Sequence, residues 1–196
     1  IVLIYSQFID GGVVPIALAL ESLGFTRFGT KTSNLFKTPP HKPIDAKTFL
    51  TSDEMDNPSD FTPATYTMIT GEKALSSDKL FDLKNLTDED NKNGEKIKVV
   101  IISMTGSEGI DFKNLRQVHI LEPWYNMNRA DQTIGKGVRN KSHCNLPFSK
   151  RNVQIFLYGS QLLDSKVEPI DLYVYRLAEK KSIQIGKITR LLKNCL

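Results

Sequence analysis

Five short apolar segments, separated by stretches of different pattern, constrain the fold of this chain more than any other feature. The strongest covers residues 97–102, where β-branched residues dominate. Four of the five segments are apolar on both faces, which is typical of strands covered on both sides. The segments are 2–5, 66–69, 97–102, 117–121 and 153–157. They predict an α/β fold with a mostly parallel sheet and helices on both of its faces.

The stretches between these segments are interpreted as helices and loops. Residues 12–23 have helical apolar spacing and stop at Gly24, and the spacing of residues 171–192 predicts a C-terminal helix. Residues 25–63 contain five prolines and little periodicity, which indicates an insertion or a mobile flap. The polar stretch 83–98 is interpreted as an exposed loop. Residues 1–160 would then form one lobe and residues 161–196 a helical extension of it.

Length and composition limit the class of protein without identifying a function. The 196 residues are 40% hydrophobic, enough for one globular domain with a sizeable core, and no apolar run approaches a membrane span. The net charge of +4 permits a nucleic-acid partner without requiring one. Cys144 and Cys195 do not make a disulfide framework in a chain this long, which favours a reducing compartment. A strand at the first residue, without a Met, leads us to expect a longer parent protein.

A glycine-rich turn follows the strongest predicted strand directly. Gly106 and Gly109 would let backbone N–H groups approach a phosphate or a sugar, and Asp111 could accept hydrogen bonds from ribose hydroxyls. Such a turn is a weak signal by itself, because glycine-rich turns after strands have many structural roles. The aromatic segment 123–126 and a basic helix that follow it strengthen the case for an anion site.

Three hydrogen-bond donors recur near one side of the helix predicted to begin close to residue 132. Gln132, Lys136 and Arg139 are four and three residues apart, so they lie near one face. Two cations and an amide directed at one region suit an anionic partner, for which triphosphate is the candidate. The alternative is a solvated basic helix face.

These motifs, in order, resemble those of superfamily 2 helicases. Residues 4–8 resemble motif IV, 105–112 resemble motif V, and 132–139 resemble motif VI, with Pro-Trp-Tyr-Asn at 123–126 matching the aromatic segment between them. The closest resemblance is to poxvirus-like nucleoside triphosphatases and early transcription helicases of large DNA viruses. Their motif VI continues into Arg-x-x-Ser-His, which is found here at 139–143. The similarity covers nearly the whole chain.

The resemblance implies the second of two RecA-like lobes that clamp ATP between them and bind nucleic acid across their tops. The first lobe carries the phosphate-binding lysine and the Mg²⁺-binding acidic box, so this chain alone would be inactive. Arg139 would be the arginine finger that stabilises the transition state, and Gln132 would position the water or the γ-phosphate. Lys136 stands where the family usually has arginine, so it keeps the charge but loses the planar fork.

Six residues at predicted strand ends would line a nucleic-acid track under the same resemblance. Thr105 and Ser103 follow the strongest strand and would contact the phosphate backbone of DNA or RNA. The weaker candidates at two other strand ends are Ser6, Gln7, Thr70 and Gly71. For each residue the alternative is a strand-end cap. The viral resemblance also implies transcription machinery as a partner, and the cytoplasm, a viral factory or the virion as location.

Other sites and functions have less support in the residues. The stretch 24–32 mimics a phosphate loop, but one residue too many precedes Lys31 and a helix rather than a strand comes before it. The histidines and cysteines match no common zinc spacing, so no metal site is predicted. One alternative is a non-catalytic nucleic-acid or protein-interaction module with a helicase-like lobe. A nucleotide-sugar or cofactor binder would need a glycine fingerprint after the first strand, which residues 10–15 lack.

Overall fold

Strands and helices alternate along the chain in a computed structural model that describes residues 1–29, 33–76, 78–105, 109–163 and 166–195. The strands are β1 (Val2–Tyr5), β2 (Thr26–Arg27), β3 (Thr65–Ile69), β4 (Val99–Ile102), β5 (Gln117–Ile120) and β6 (Gln154–Leu157). The longer helices are α1 (Val14–Ser22), α2 (Lys79–Thr87), α3 (Asn128–Gly137) and α4 (Ile170–Asn194). Short helical turns lie at Ile9–Val13, Ser52–Glu54, Pro58–Asp60, Glu89–Asn91 and Phe148–Lys150. Within the described part of the chain, no helix combines the length and apolarity needed to cross a membrane.

The six described strands form one parallel sheet in the order β2-β3-β4-β1-β5-β6. At its centre, Val2 is aligned with Val99 on one side and with Gln117 on the other. The parallel arrangement brings the carboxyl ends of the strands to one edge, where ligands bind in such folds. The predicted fold class is therefore confirmed. The edge strand β2 was not predicted, because two polar residues carry no strand signal.

Apolar side chains cover both faces of the sheet. On one face Leu3 packs in a core that includes Leu86 of α2, with Ile134 of α3 against it. On the other face Val13 and Ala17, before and within α1, pack in a second core. The helices therefore lie on both faces, as predicted. The edge strand β6 is the exception, since all four of its residues are exposed.

The predicted C-terminal helix is present as α4, and only its first half packs on the lobe. Val174 and Ala178 are buried there. The Asp171 carboxyl accepts a hydrogen bond from the Ser160 N–H at 2.7 Å, and the Lys181 ammonium donates to the Tyr125 carbonyl at 3.3 Å. Every described residue of α4 beyond Lys181 is exposed. The second half of the helix therefore extends past the packed part of the lobe.

A buried carboxyl group attaches the long segment 25–63 to the core. Glu21, in the last turn of α1, has no exposed surface. It accepts hydrogen bonds from the N–H groups of Leu35 and Phe36, both at 2.8 Å, and from the Tyr66 hydroxyl at 2.6 Å. Burial and the Glu21 carboxyl raise the pKa of Tyr66. The segment thus begins with a sheet strand, and its residues 35 and 36 are attached to the core.

The expectation of an exposed loop over residues 83–98 is wrong for much of that stretch. Helix α2 occupies its first residues, and Asn91 is fully buried. The Asn91 amide donates to the carbonyls of Leu86 and Ile97, and its oxygen accepts from the N–H groups of Lys96 and Ile97 at 2.9 Å. One polar side chain therefore provides hydrogen-bond partners for four backbone groups of a tight connection. From composition alone, such a residue cannot be told apart from an exposed loop residue.

Glu21→Ala should lower the free energy of unfolding by about 2 kcal/mol or more, because it leaves the Tyr66 hydroxyl and two backbone N–H groups without their acceptor. Urea denaturation measures the change. Glu179→Ala, at an exposed position of α4, is the matched control and should cost less than about 0.5 kcal/mol. Equal losses in the two variants would show that Glu21 does not hold the segment.

Candidate functional site at the carboxyl edge of the sheet

A cleft of about 500 Å³ lies between the carboxyl edge of the sheet and α3. It brings together four of the residues predicted from the sequence, namely Gly109, Gln132, Lys136 and Arg139. The described residues that line it are Tyr5, Met104, Gly109, Arg129, Gln132, Thr133, Gly135, Lys136 and Arg139. Segments that follow β4 thus meet the helix of the basic motif in one concave site.

The packing of α3 determines which of its residues face the cleft. Ala130 and Ile134 pack against the core, and a methyl group added at Gly137 would lie only 2.7 Å from Val118 Cγ2 of β5. Glycine is therefore required for α3 to lie this close to the sheet. Gln132 is exposed and Lys136 half-buried on the side that lines the cleft.

Arg139, two residues beyond the end of α3, forms an ion pair with Asp111. Their side chains are 52% and 67% exposed, so water surrounds the pair. Exposed ion pairs of this kind contribute little to stability. Asp111, predicted as a ribose acceptor, is therefore beside the cleft with Arg139 as its partner. The Arg139 side chain lines the same cleft as Met104 and Gly109, which follow β4 in the chain.

The glycine-rich turn is described only in part. Gly106, predicted to bind nucleotide, lies outside the described residues, as does Lys31 of the phosphate-loop mimic. Gly109 lines the cleft with a φ of +70°, in the left-handed region that favours glycine. Among the described residues other than its chain neighbours, no atom lies within 4 Å of where its Cβ would be. The backbone is thus open to the cleft at this point.

Three of the predicted track residues are accessible at the sheet edge. Thr105 and Gly71 are exposed, and a methyl group added at Gly71 would lie 3.2 Å from Thr105 Cβ. The ends of β3 and β4 therefore bring these two residues side by side. Gln7 is half-buried, and its side-chain oxygen accepts a hydrogen bond from Arg129 at 3.2 Å.

The other three predicted track residues are buried. Ser6, Ser103 and Thr70 are 0%, 3% and 5% exposed. The Ser6 hydroxyl donates to the Glu122 carboxyl at 2.5 Å, and the Thr70 hydroxyl accepts from the Glu72 N–H at 3.2 Å. Their burial does not support direct side-chain contacts with nucleic acid. For Ser6 and Thr70, strand-end capping, the alternative stated above, fits these hydrogen bonds.

Five residues that line the cleft were not predicted from the sequence, namely Tyr5, Met104, Arg129, Thr133 and Gly135. The Arg129 guanidinium lies 3.7 Å from the centre of the Trp124 ring. A signal for Arg129 was available, because it precedes Gln132 by three residues and Lys136 by seven, on the same helix face. No comparable signal marks Tyr5, which reads as an ordinary strand residue.

The half-buried carboxyl group of Glu122 joins the ends of β1 and β5 beside the cleft. Glu122 accepts hydrogen bonds from the Ser6 hydroxyl and, at 3.2 Å, from the Gln7 N–H. Burial raises the pKa of Glu122, and these two hydrogen bonds oppose that shift. The edge of the sheet next to the cleft is therefore fixed by internal bonds.

Comparison with known proteins agrees with this geometry. Residues 76–141 match the family described as helicase conserved C-terminal domain. The chain is 36% identical over 166 residues to a termination factor NPH-I homolog of African swine fever virus, covering 80% of this chain and 23% of the relative. It is 28% identical over 194 residues to a putative helicase of invertebrate iridescent virus 3, covering 97% and 17%.

Two further comparisons concern a viral relative and the fold. A putative ATP-dependent RNA helicase of Acanthamoeba polyphaga mimivirus is 37% identical over 118 residues, covering 59% of this chain and 25% of the relative. The crystal structure of the C-terminal part of the Fun30 ATPase domain aligns with a TM-score of 0.52 at 16% identity, covering 90% of this chain and 38% of that one. The structural match supports the RecA-like α/β fold.

The similarity to a C-terminal lobe of superfamily 2 helicases of large DNA viruses is thereby confirmed. The chain spans about a quarter or less of the length of these viral relatives. Activity, substrates and partners of a whole protein therefore do not follow from the match alone.

Asp111→Asn should change the free energy of unfolding by less than about 1 kcal/mol, because the ion pair that it removes is exposed to water. Urea denaturation at low and high salt measures the change. A loss as large as that expected for Glu21→Ala would make the pair a structural clamp, and would contradict an Arg139 that is available to a ligand.

Proposed function

We propose that this chain is the C-terminal motor lobe of an ATP-dependent nucleic-acid helicase or translocase, with an N-terminal lobe of the same full-length protein as its partner. The observation that carries the proposal is the convergence of Gly109, Gln132, Lys136 and Arg139 on one cleft. Two cations, an amide and an open backbone in one concavity suit a polyanion such as a triphosphate.

Arg139 is the proposed arginine finger. Its present partner, Asp111, holds it in an exposed ion pair that contributes little free energy. A γ-phosphate with a higher charge can therefore compete for the guanidinium at small cost. In the transition state of phosphoryl transfer, a guanidinium in that position stabilises the charge that spreads over the equatorial oxygens. Asp111, once released, can accept hydrogen bonds from the ribose.

Gln132 and Lys136 have supporting roles in the same cleft. The Gln132 amide would orient the attacking water or the γ-phosphate, and the Lys136 ammonium would neutralise phosphate charge as a point cation. Gly109, with Gly106 three residues before it, would let the backbone approach the nucleotide. These roles concern binding, orientation and charge, which dominate catalysis of phosphoryl transfer.

The donor set of the cleft fits the phosphates of ATP better than it fits a metal ion. The described residues contain no group of three His, Cys, Asp or Glu side chains that could hold a metal. A Mg²⁺ ion bound with the nucleotide would supply positive charge that neutralises the phosphates. Its protein ligands would come from the N-terminal lobe, so this chain would supply only the cations and the amide.

Thr105, Gly71 and Gln7 form the proposed contact with the nucleic-acid backbone. They lie at neighbouring strand ends of one sheet edge. Ser103, Ser6 and Thr70 would support this edge from within. Contacts of this kind bind phosphates without reading sequence, so DNA and RNA are both candidates. The name of one viral relative, a termination factor, points to transcription machinery as a further partner. The viral resemblance makes the cytoplasm, a viral factory or the virion the proposed location.

A second candidate is a non-catalytic nucleic-acid or protein-interaction module that retains a helicase-like lobe. Lys136 favours it, because the family usually has arginine at this position and lysine cannot form the planar two-point contact with phosphate. Gln132 and Arg139, both present and both on the cleft, favour the motor lobe.

Arg139→Ala in the full-length protein should lower Mg²⁺-dependent ATP turnover about 10³-fold or more, the scale on which arginine fingers act. Phosphate release with saturating single-stranded nucleic acid measures it, and the affinity for a fluorescent ATP analogue should stay within about threefold. The isolated chain should show no turnover, because the phosphate-binding lysine and metal ligands are on the other lobe.

Arg190→Ala, at an exposed position near the end of α4, is the matched control and should leave turnover unchanged. Unchanged turnover in Arg139→Ala would remove the finger assignment. Nucleic-acid binding by a full-length protein that hydrolyses no ATP would favour the non-catalytic module instead.

A further inference from the structure

Arg129 connects three segments that meet beside the cleft. It lies in the first turn of α3, and its guanidinium donates to the Gln7 side chain at 3.2 Å. The same guanidinium stacks over the Trp124 ring at 3.7 Å. It is also close enough to Tyr5 to lower the pKa of that phenol, against the larger opposite effect of burial. The end of β1, the segment after β5 and α3 thus share one side chain.

Arg129 also lines the nucleotide cleft. It precedes Lys136 by seven residues, so the two side chains leave the same face of α3. Arg129, Gln132 and Lys136 belong to one helix of ten residues. A displacement of the Arg129 end of α3 would therefore also change the positions of Gln132 and Lys136 in the cleft.

Gln7 is held from two directions. Its N–H donates to the Glu122 carboxyl, and its side-chain oxygen accepts from Arg129. A phosphate can accept hydrogen bonds only from the amide N–H₂ of Gln7, because the amide oxygen is an acceptor and is bonded to Arg129. A shift of the Gln7 amide toward a phosphate therefore also moves the oxygen that Arg129 holds. The hydrogen bond between Gln7 and Arg129 consequently links the proposed nucleic-acid contact to the cleft.

The contacts of Arg129 need a guanidinium rather than any cation. Its planar group stacks on an aromatic face while its N–H groups donate in the plane, so it satisfies Trp124 and Gln7 at the same time. A lysine ammonium at the same position is a point charge on a flexible stem and cannot hold both contacts in fixed geometry.

We propose that Arg129 is a positioning residue that couples the strand-end residue Gln7 to the nucleotide cleft, so that nucleic acid bound at this edge changes the rate of ATP hydrolysis. The proposal rests on the motor function argued above and adds a residue through which its two sites communicate. Arg129 acts on the reaction through the orientation of α3, and so on Gln132 and Lys136.

The test compares Arg129→Lys and Arg129→Gln with the unaltered full-length protein. ATP turnover is measured with and without saturating single-stranded nucleic acid, and the ratio of the two rates is the readout. Both variants should lower this ratio about 10-fold or more, a scale set by the sensitivity of reaction rates to displacements of about 1 Å. The KM for ATP should stay within about threefold, because the phosphate-binding groups remain. Arg190→Gln is the matched control at an exposed position.

Each other result overturns the assignment. A raised KM with an unchanged ratio would make Arg129 a direct ligand of the phosphates. An unchanged ratio and KM would remove any role in coupling, and loss of folding in both variants would make the residue structural. If the unaltered protein hydrolyses no ATP, the motor function itself fails. If Arg139→Ala is inactive while both Arg129 variants keep the normal ratio, only the coupling proposal fails.

Discussion

The close approach of α3 to β5 is the constraint on which the candidate site depends. A methyl group at residue 137 would lie 2.7 Å from Val118, so glycine is needed for the helix to reach its position. Ile134 packs into the core on the same side, which fixes the rotation of the helix about its axis. Gln132 and Lys136 then face the cleft because the opposite side of α3 is occupied. The spacing of Gln132 and Lys136 puts them on one face of α3, and the packing of the helix decides that this face lines the cleft.

Buried groups hold the surroundings of the cleft, whereas the groups proposed for chemistry remain accessible. The Ser6 hydroxyl donates a hydrogen bond to Glu122. A methyl group at residue 12 would lie 1.8 Å from Ser6 Oγ, so glycine is also needed for the helical turn Ile9–Val13 to pack against Ser6. These contacts hold the end of β1 against the segments that pack on it. Arg139, in contrast, is half exposed in a weak ion pair. A firm frame with an easily redirected cation suits a site that must stabilise charge only during reaction.

The sheet and the cleft were predicted from different features of the sequence. The elements that were not predicted depend on contacts between distant parts of the chain. Runs of β-branched residues such as 97–102 identify buried strands directly, and the order of motifs identified the residues of the cleft. Strand β2 was missed because two polar residues have no periodicity, and Asn91 was placed in a loop because its burial depends on four backbone partners. Burial of Ser6, Ser103 and Thr70 likewise follows from tertiary contacts that spacing does not encode. Arg129 could have been found from its helical spacing, whereas its stacking on Trp124 could not.

A crystal structure of the full-length protein with ADP and a γ-phosphate mimic tests the central claim most directly, because it locates the Arg139 guanidinium relative to the phosphates. The account predicts that the guanidinium leaves Asp111 and lies within hydrogen-bond distance of the mimic, about 2.7–3.2 Å, with Gln132 and Lys136 on the same nucleotide. A guanidinium that stays on Asp111, with the nucleotide bound away from α3, would contradict it.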